Sequence, residues 1–174
     1  MIDFDMLAAQ CAPHVAVATL RAIARVESDF NPFAIGVVGG ALTRQPRNLL
    51  EAISTVKQLQ AQNIKFSAGI TQIYVMNWPA YQLDYETVFD PCANMQAAQG
   101  ILSNCYQRAT VGSDSEQVAL RKAISCYYSD NFVTGFREGY VQKVVAAATS
   151  FRASALKVPA INGNRVFITK ESSQ

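Results

Sequence analysis

A single histidine, a single tryptophan and few charges already narrow what this 174-residue chain can do. Charged residues make up 16% of it, and its 15 basic residues against 13 acidic give a formal charge of only +2, too even a balance for nucleic acid as the main partner. Nothing approaches the 18 or so unbroken apolar residues of a membrane-spanning helix. No Gly-x-x-x-x-Gly-Lys, Gly-x-Gly-x-x-Gly or His-x-x-x-His occurs, so nucleotide and zinc chemistries lose their usual carriers, and neither cofactor nor metal is expected. His14 lies near Cys11, but Pro13 intervenes and no triad partner suggests itself, which leaves a surface histidine as the simpler reading. "MIDFDMLAAQ" is acidic where an export signal would be basic, although a signal already removed would leave no trace.

What is present is a chain 50% apolar, enough to bury the core of one domain. Four cysteines, Cys11, Cys92, Cys105 and Cys126, lack the short paired spacing of a zinc ribbon or a redox pair; four buried thiols and one or two disulfides both stay open. Asp3 or Asp5 can cap a short first helix. A longer one runs from about Val15 to Ser28 and stops before Asn31-Pro32. "AIGVVGGALTRQ" reads as a small hairpin around Gly39-Gly40, the one convincing strand signal. Asn48 with Glu51 opens a third helix, Asp90-Pro91 a fourth, and Ser113 with Glu116 a fifth; the last begins near Glu138. Between them "NIKFSAGITQIYVMNWPAY" mixes aromatic and amide side chains without helical periodicity, a composition suited to a groove wall. The expectation is a mainly α domain over residues 1–153 with a small hairpin, followed by a loosely ordered tail over residues 154–174.

"AIARVESDFNP" holds the most informative anomaly. At about 100° per residue, Glu27 falls on the side of Leu20, Ile23 and Ala24, while Arg21, Arg25 and Asp29 point elsewhere. A carboxyl facing apolar neighbours resists ionisation, so it can keep its proton near neutral pH and serve as a general acid. The alternative is a half-exposed residue at a fraying helix end. Glycoside cleavage ordinarily needs a second carboxylate. Asp29 projects away from Glu27, and Asp84, Glu86 and Asp90 fit capping or surface roles, so a one-carboxylate mechanism requires the substrate to supply its own nucleophile.

Four separated segments resemble one family, the lytic transglycosylases of goose-type lysozyme-like fold associated with type IV secretion and conjugation. "CAPHVAVATLRAIARVESDFNPFAIGVVGG" is similar to its catalytic segment, with Glu27-Ser28 matching a Glu-Ser motif. "AGITQIYVMNW" is similar to its Gly-Leu-x-Gln-Ile-Asn motif, "FDPCANMQAAQGILSNCY" to its Phe-Asp-Pro-Cys segment, and "AISCYYSDNFVTGFREGYVQKV" to its Ala-Tyr-Asn region with the Gly-Phe and Gly-Tyr-Val elements after it. The resemblance implies a lysozyme-like fold and cleavage of the MurNAc-β-1,4-GlcNAc bond of peptidoglycan, leaving a 1,6-anhydro end, with Glu27 as acid. It implies that Ser28 bonds near the substrate acetamide, Gln72 contacts sugar, and the Tyr127 hydroxyl approaches the acid; the structural alternatives are a helix cap, a loop stabiliser and core packing. Tyr74 and Tyr128 stand where asparagines are usual and Asp130 where glycine is usual, and both tyrosines can still contact sugar through stacking. The resemblance also implies an exported, periplasmic monomer acting on glycan strands beside secretion-channel subunits, the rival being an inactive peptidoglycan-binding scaffold.

Overall fold

A computed structural model describes residues 3–155; of the tail expected over residues 154–174, residues 154 and 155 belong to the last helix and the rest lies outside the described residues. Helix α1, Phe4–Cys11, is capped by Asp3, whose side chain accepts from the Asp5 amide at 3.2 Å. Helix α2, Val17–Ser28, starts two residues later than expected and ends where Asp29 and Phe30 both turn left-handed, at φ 52° and 64°. Strand β1 is Ile35–Val37 and helix α3 Leu49–Ala61, its Asn48 cap accepting from the Glu51 amide. Strands β2, Phe66–Ala68, and β3, Ile73–Tyr74, come next, then three short 3-10 turns. Helix α4, Pro91–Thr110, is opened by the Asp90 cap; α5 is Glu116–Ser129, α6 Thr134–Arg137 and α7 Tyr140–Ala155.

The sheet is antiparallel in the order β1-β2-β3, with Ile35 opposite Ala68 and Ala68 opposite Ile73. This corrects the hairpin expected around Gly39-Gly40. Val37 does not turn back on residues beyond Gly40; β1 pairs instead with β2 across the whole of α3, and the tight hairpin is β2–β3. A turn signal is local, whereas the partner of a three-residue strand is chosen by the core beneath it. The cap of α5 is corrected too: Ser115, not Ser113, accepts from the Val118 amide, while the Ser113 hydroxyl donates to the Ala109 carbonyl and accepts from Lys122.

Two packed clusters make the core, and α2 belongs to both. Leu20 and Ala24 join Ile35, Val56, Phe66, Ile73 and Trp78 under the sheet. Ala22 and Ile23 join Leu102, Ile124, Val141 and Val144 among the later helices. Each large aliphatic or aromatic side chain so buried contributes about 1.5–3 kcal/mol. The helix that bridges the clusters therefore carries its last turn, with Glu27, to the seam between them. Disulfides Cys11–Cys92 and Cys105–Cys126 tie α1 to the start of α4 and α4 to α5, closing the question the spacing left open.

Candidate active site

At that seam lies a groove of about 830 Å³. Glu27 lines it from α2; Ser67, Gln72, Tyr74, Asn77 and Tyr81 line it from the sheet side, drawn from the segment whose composition suggested a groove wall. Opposite them stand Asn104 and Arg108 of α4 and Tyr127, Tyr128 and Asp130 at the end of α5.

Glu27 keeps some contact with solvent through the groove, yet protein surrounds its carboxyl. That burial pushes its pKa from 4.5 up to about 7, against the opposing pull of a hydrogen bond from the Tyr140 hydroxyl. Tyr140 donates to Glu27 Oε1 at 2.5 Å across 113 residues of sequence. Ile23 and Ala24, one turn before the acid, are fully buried, so the anomaly in the apolar stripe is an inward-facing carboxyl and not a frayed end. Burial first, and then the nearby Glu27 charge, push the Tyr140 and Tyr127 phenols well above their ordinary range, so both are neutral donors at any working pH.

The other expected residues divide by what they hold. Ser28 gives its hydroxyl to the Ile70 carbonyl at 2.7 Å, with the Ala24 carbonyl at 3.2 Å, and so fastens the end of α2 to the β2–β3 loop. Gln72, at φ 55°, donates from Nε2 to the carbonyls of Ala34 and Gly69, both at 2.9 Å. Its Oε1 stands over Gly36, where an added Cβ would lie 2.8 Å away. The Tyr127 hydroxyl donates to the Thr71 carbonyl at 2.7 Å, so the phenol bonded to Glu27 is that of Tyr140. Tyr74 lines the groove at the end of β3. Tyr128 stacks on Tyr140 and donates to Glu138. Asp130 caps α5 at φ 59°, a left-handed position that glycine adopts freely and aspartate tolerates, and it accepts from Arg108 at 3.0 Å.

Sequence reasoning placed Tyr140 in the Gly-Tyr-Val element without giving it a role beside Glu27, and it missed Asn94. Asn94 is 1% exposed. Its Oδ1 accepts from the Thr71 amide at 2.9 Å and hydroxyl at 2.5 Å, and its Nδ2 donates to the carbonyls of Ala68 and Val88. One buried amide thus fixes the β2–β3 loop from which Gln72 enters the groove. The Cys11–His14 pair is excluded as a nucleophilic site, because Cys11 is in a disulfide and His14 is exposed. Asp29 forms an exposed ion pair with Arg25 one turn back on α2, and Asp84 caps its own loop by accepting from the Glu86 and Thr87 amides.

Residues 6–129 match the family described as "Transglycosylase SLT domain". The chain is 50% identical over 167 residues, 92% of its length and 70% of the relative's, to "Type IV secretion system protein virB1" of Brucella abortus biovar 1 (strain 9-941). It matches the protein of that name from Brucella suis biovar 1 (strain 1330) to the same extent. "Protein virB1" of Rhizobium radiobacter is 35% identical over 157 residues, 90% of this chain and 65% of that protein. No solved structure matches the chain significantly.

Proposed function

Since this chain belongs to the transglycosylase SLT domain family, we propose that Glu27 is the acid with which it acts as a peptidoglycan lytic transglycosylase serving a type IV secretion system. The observation that carries the assignment is one carboxyl, held near pKa 7 in a groove among sugar-sized polar and aromatic side chains. Protonated, Glu27 gives its hydrogen to the oxygen leaving C1 of the muramyl residue, and the muramyl acetamide supports C1 as the bond breaks. The carboxylate so formed then takes the proton of the C6 hydroxyl, whose oxygen attacks C1 and closes the 1,6-anhydro ring. No water enters the balance, and Glu27 ends protonated as it began. The other carboxylate lining the groove, Asp130, is 88% exposed on its side chain and bonded to Arg108, a poor situation for a nucleophile acting at the buried acid.

Gln72, Tyr74, Tyr127 and Tyr128 are assigned to the groove surface that meets the glycan, and Ser28 to the fixed geometry of the acid's end of α2. The substrate lies outside the cytoplasmic membrane, so the work is assigned to the periplasm. The rival reading as an inactive scaffold is not favoured, because it has no use for a buried acid with a dedicated phenolic donor.

Purified protein incubated with murein sacculi should release anhydromuropeptides detectable by mass spectrometry, at a rate falling as pH rises through about 7, and Glu27→Gln should stop it. Release by that variant at the parental rate defeats the assignment.

A further inference from the structure

Tyr128 lines the groove from the end of α5, and its contacts give it a further task. Its ring lies flat against that of Tyr140, centroids 4.5 Å apart and planes 15° apart. Its hydroxyl donates to Glu138 Oε2 at 2.7 Å. Glu138 closes α6, Gly139 turns at φ 79°, and Tyr140 opens α7. Tyr128 therefore grips the α6–α7 turn at two points, one of them the residue that bonds Glu27.

We propose that Tyr128 is a positioning residue for the general acid: by stacking on Tyr140, it fixes the direction from which the Tyr140 hydroxyl reaches Glu27. An aromatic pair stabilises its stacked geometry beyond the area it buries and so biases one ring orientation, whereas an asparagine has no ring to stack. This rests on the assignment of Glu27 as the acid, and it adds a specific linkage from the end of α5 to the proton.

The sign of the effect separates positioning from simple damage. The titratable groups around this linkage are Glu27 from α2, Tyr127 and Tyr128 from α5, Tyr140 from α7, Glu138, with Arg137 paired to it at 3.5 Å, and Tyr81 beside Tyr127. The Tyr140 hydrogen bond favours the ionised carboxylate, so loosening it raises the pKa of Glu27 and carries the alkaline limb of the activity profile upward. Opening the site to water would solvate the carboxylate and carry the limb downward.

The test is the pH profile of anhydromuropeptide release for the parental protein and for Tyr128→Phe, Tyr128→Leu, Tyr128→Asn and Tyr140→Phe. Losing a hydrogen bond to a charged group corresponds to about one pH unit or more, so Tyr140→Phe moves the limb up by about that much. Tyr128→Leu and Tyr128→Asn move it in the same direction by about half as far, with kcat reduced more than KM is raised, while Tyr128→Phe keeps the stack and the parental limb. A limb that stays in place or moves down in both the Leu and Asn variants overturns the proposal, as does a Phe variant that behaves like them. NMR titration of carboxyl-labelled glutamate in the same variants, without substrate, reads Glu27 directly. If sacculi are not cut but Glu27 titrates higher without the stack, the catalytic assignment falls and the positioning role stands. If sacculi are cut and its titration does not track residue 128, the positioning role falls alone.

Discussion

Replacing Glu27 with glutamine should stabilise the folded protein at pH 8 while leaving it unchanged at pH 4. Thermodynamic linkage between folding and proton binding requires this. The Glu27 pKa rises on folding from 4.5 to about 7 because burial disfavours the charge. At about 1.36 kcal/mol per pK unit, the native state disfavours ionised Glu27 by about 3 kcal/mol relative to the unfolded chain. The sign comes from proton binding. Below the unfolded pKa both states hold the proton and Glu27 costs nothing. Between 4.5 and about 7 the unfolded state loses its proton first, and stability falls as pH rises; above about 7 the loss is complete. Glutamine keeps an oxygen to accept from Tyr140 and has no proton to lose. Urea denaturation of both proteins from pH 4 to pH 9 should therefore show their difference opening across that window to about 3 kcal/mol, or about 10 °C in melting temperature. Other titrating groups cancel because both proteins share them. A difference that does not vary with pH would mean that Glu27 is solvated like a surface residue, and the reasoning from buried carboxyl to general acid would fail with it.

Gly69→Ala should cost more than about 3 kcal/mol and abolish cleavage: its Cβ would meet Asn94 Nδ2 at 2.0 Å and the Val88 carbonyl at 2.4 Å, at a backbone φ of 88°. A urea midpoint within error of the parental value would refute that. The disulfides should rank by loop length, since closing 81 residues removes more unfolded-state freedom than closing 21. Serine replacement of Cys11 and Cys92 should lose about 4.5 kcal/mol and that of Cys105 and Cys126 about 3.3 kcal/mol, and a reversed order in denaturant midpoints would count against the chain-entropy account.

Features set within one helical turn were legible. Asp3, Asn48 and Asp90 cap their helices because the bonds they make reach only two or three residues ahead. Glu27 was legible for the same reason, as a polar residue in a stripe with Leu20, Ile23 and Ala24, all buried. Asn94 offered that signal and was overlooked, since it stands one turn before Ala98 on the face that includes Leu102 and Cys105, all of them buried. Long-range pairings were not legible. Which strand β1 joins, which cysteines meet, and which of several tyrosines reaches the acid depend on how the two clusters close around α2; the Tyr140–Glu27 bond spans 113 positions. Tyr127, Tyr128 and Tyr140 are alike as residue types, and only the packed α5–α7 corner gives them different partners.

On the proposed assignment of Glu27, a single carboxyl that must first give a proton and then take one cannot be optimised for either half alone. A pKa far above the working pH would keep it protonated but make it a reluctant donor to a sugar oxygen; a pKa near 4 would leave it ionised before the substrate arrives. Burial and the Tyr140 hydroxyl pull in opposite directions and leave Glu27 at about 7, where both forms are accessible. The surroundings preserve that balance. The phenols closest to it stay neutral, and the Arg108–Asp130 ion pair, the one that lines the groove among the described residues, carries no net charge. A lone cation turned toward the acid would stabilise its carboxylate and lower the pKa, and a lone anion would raise it. Pairing the two at the groove edge leaves the tuning to desolvation and one hydroxyl. On this reasoning Asp130→Gly, which frees Arg108, should draw the Glu27 titration downward, and a midpoint that rises instead would show that the acid is governed by something other than the balance of burial, phenol and charge.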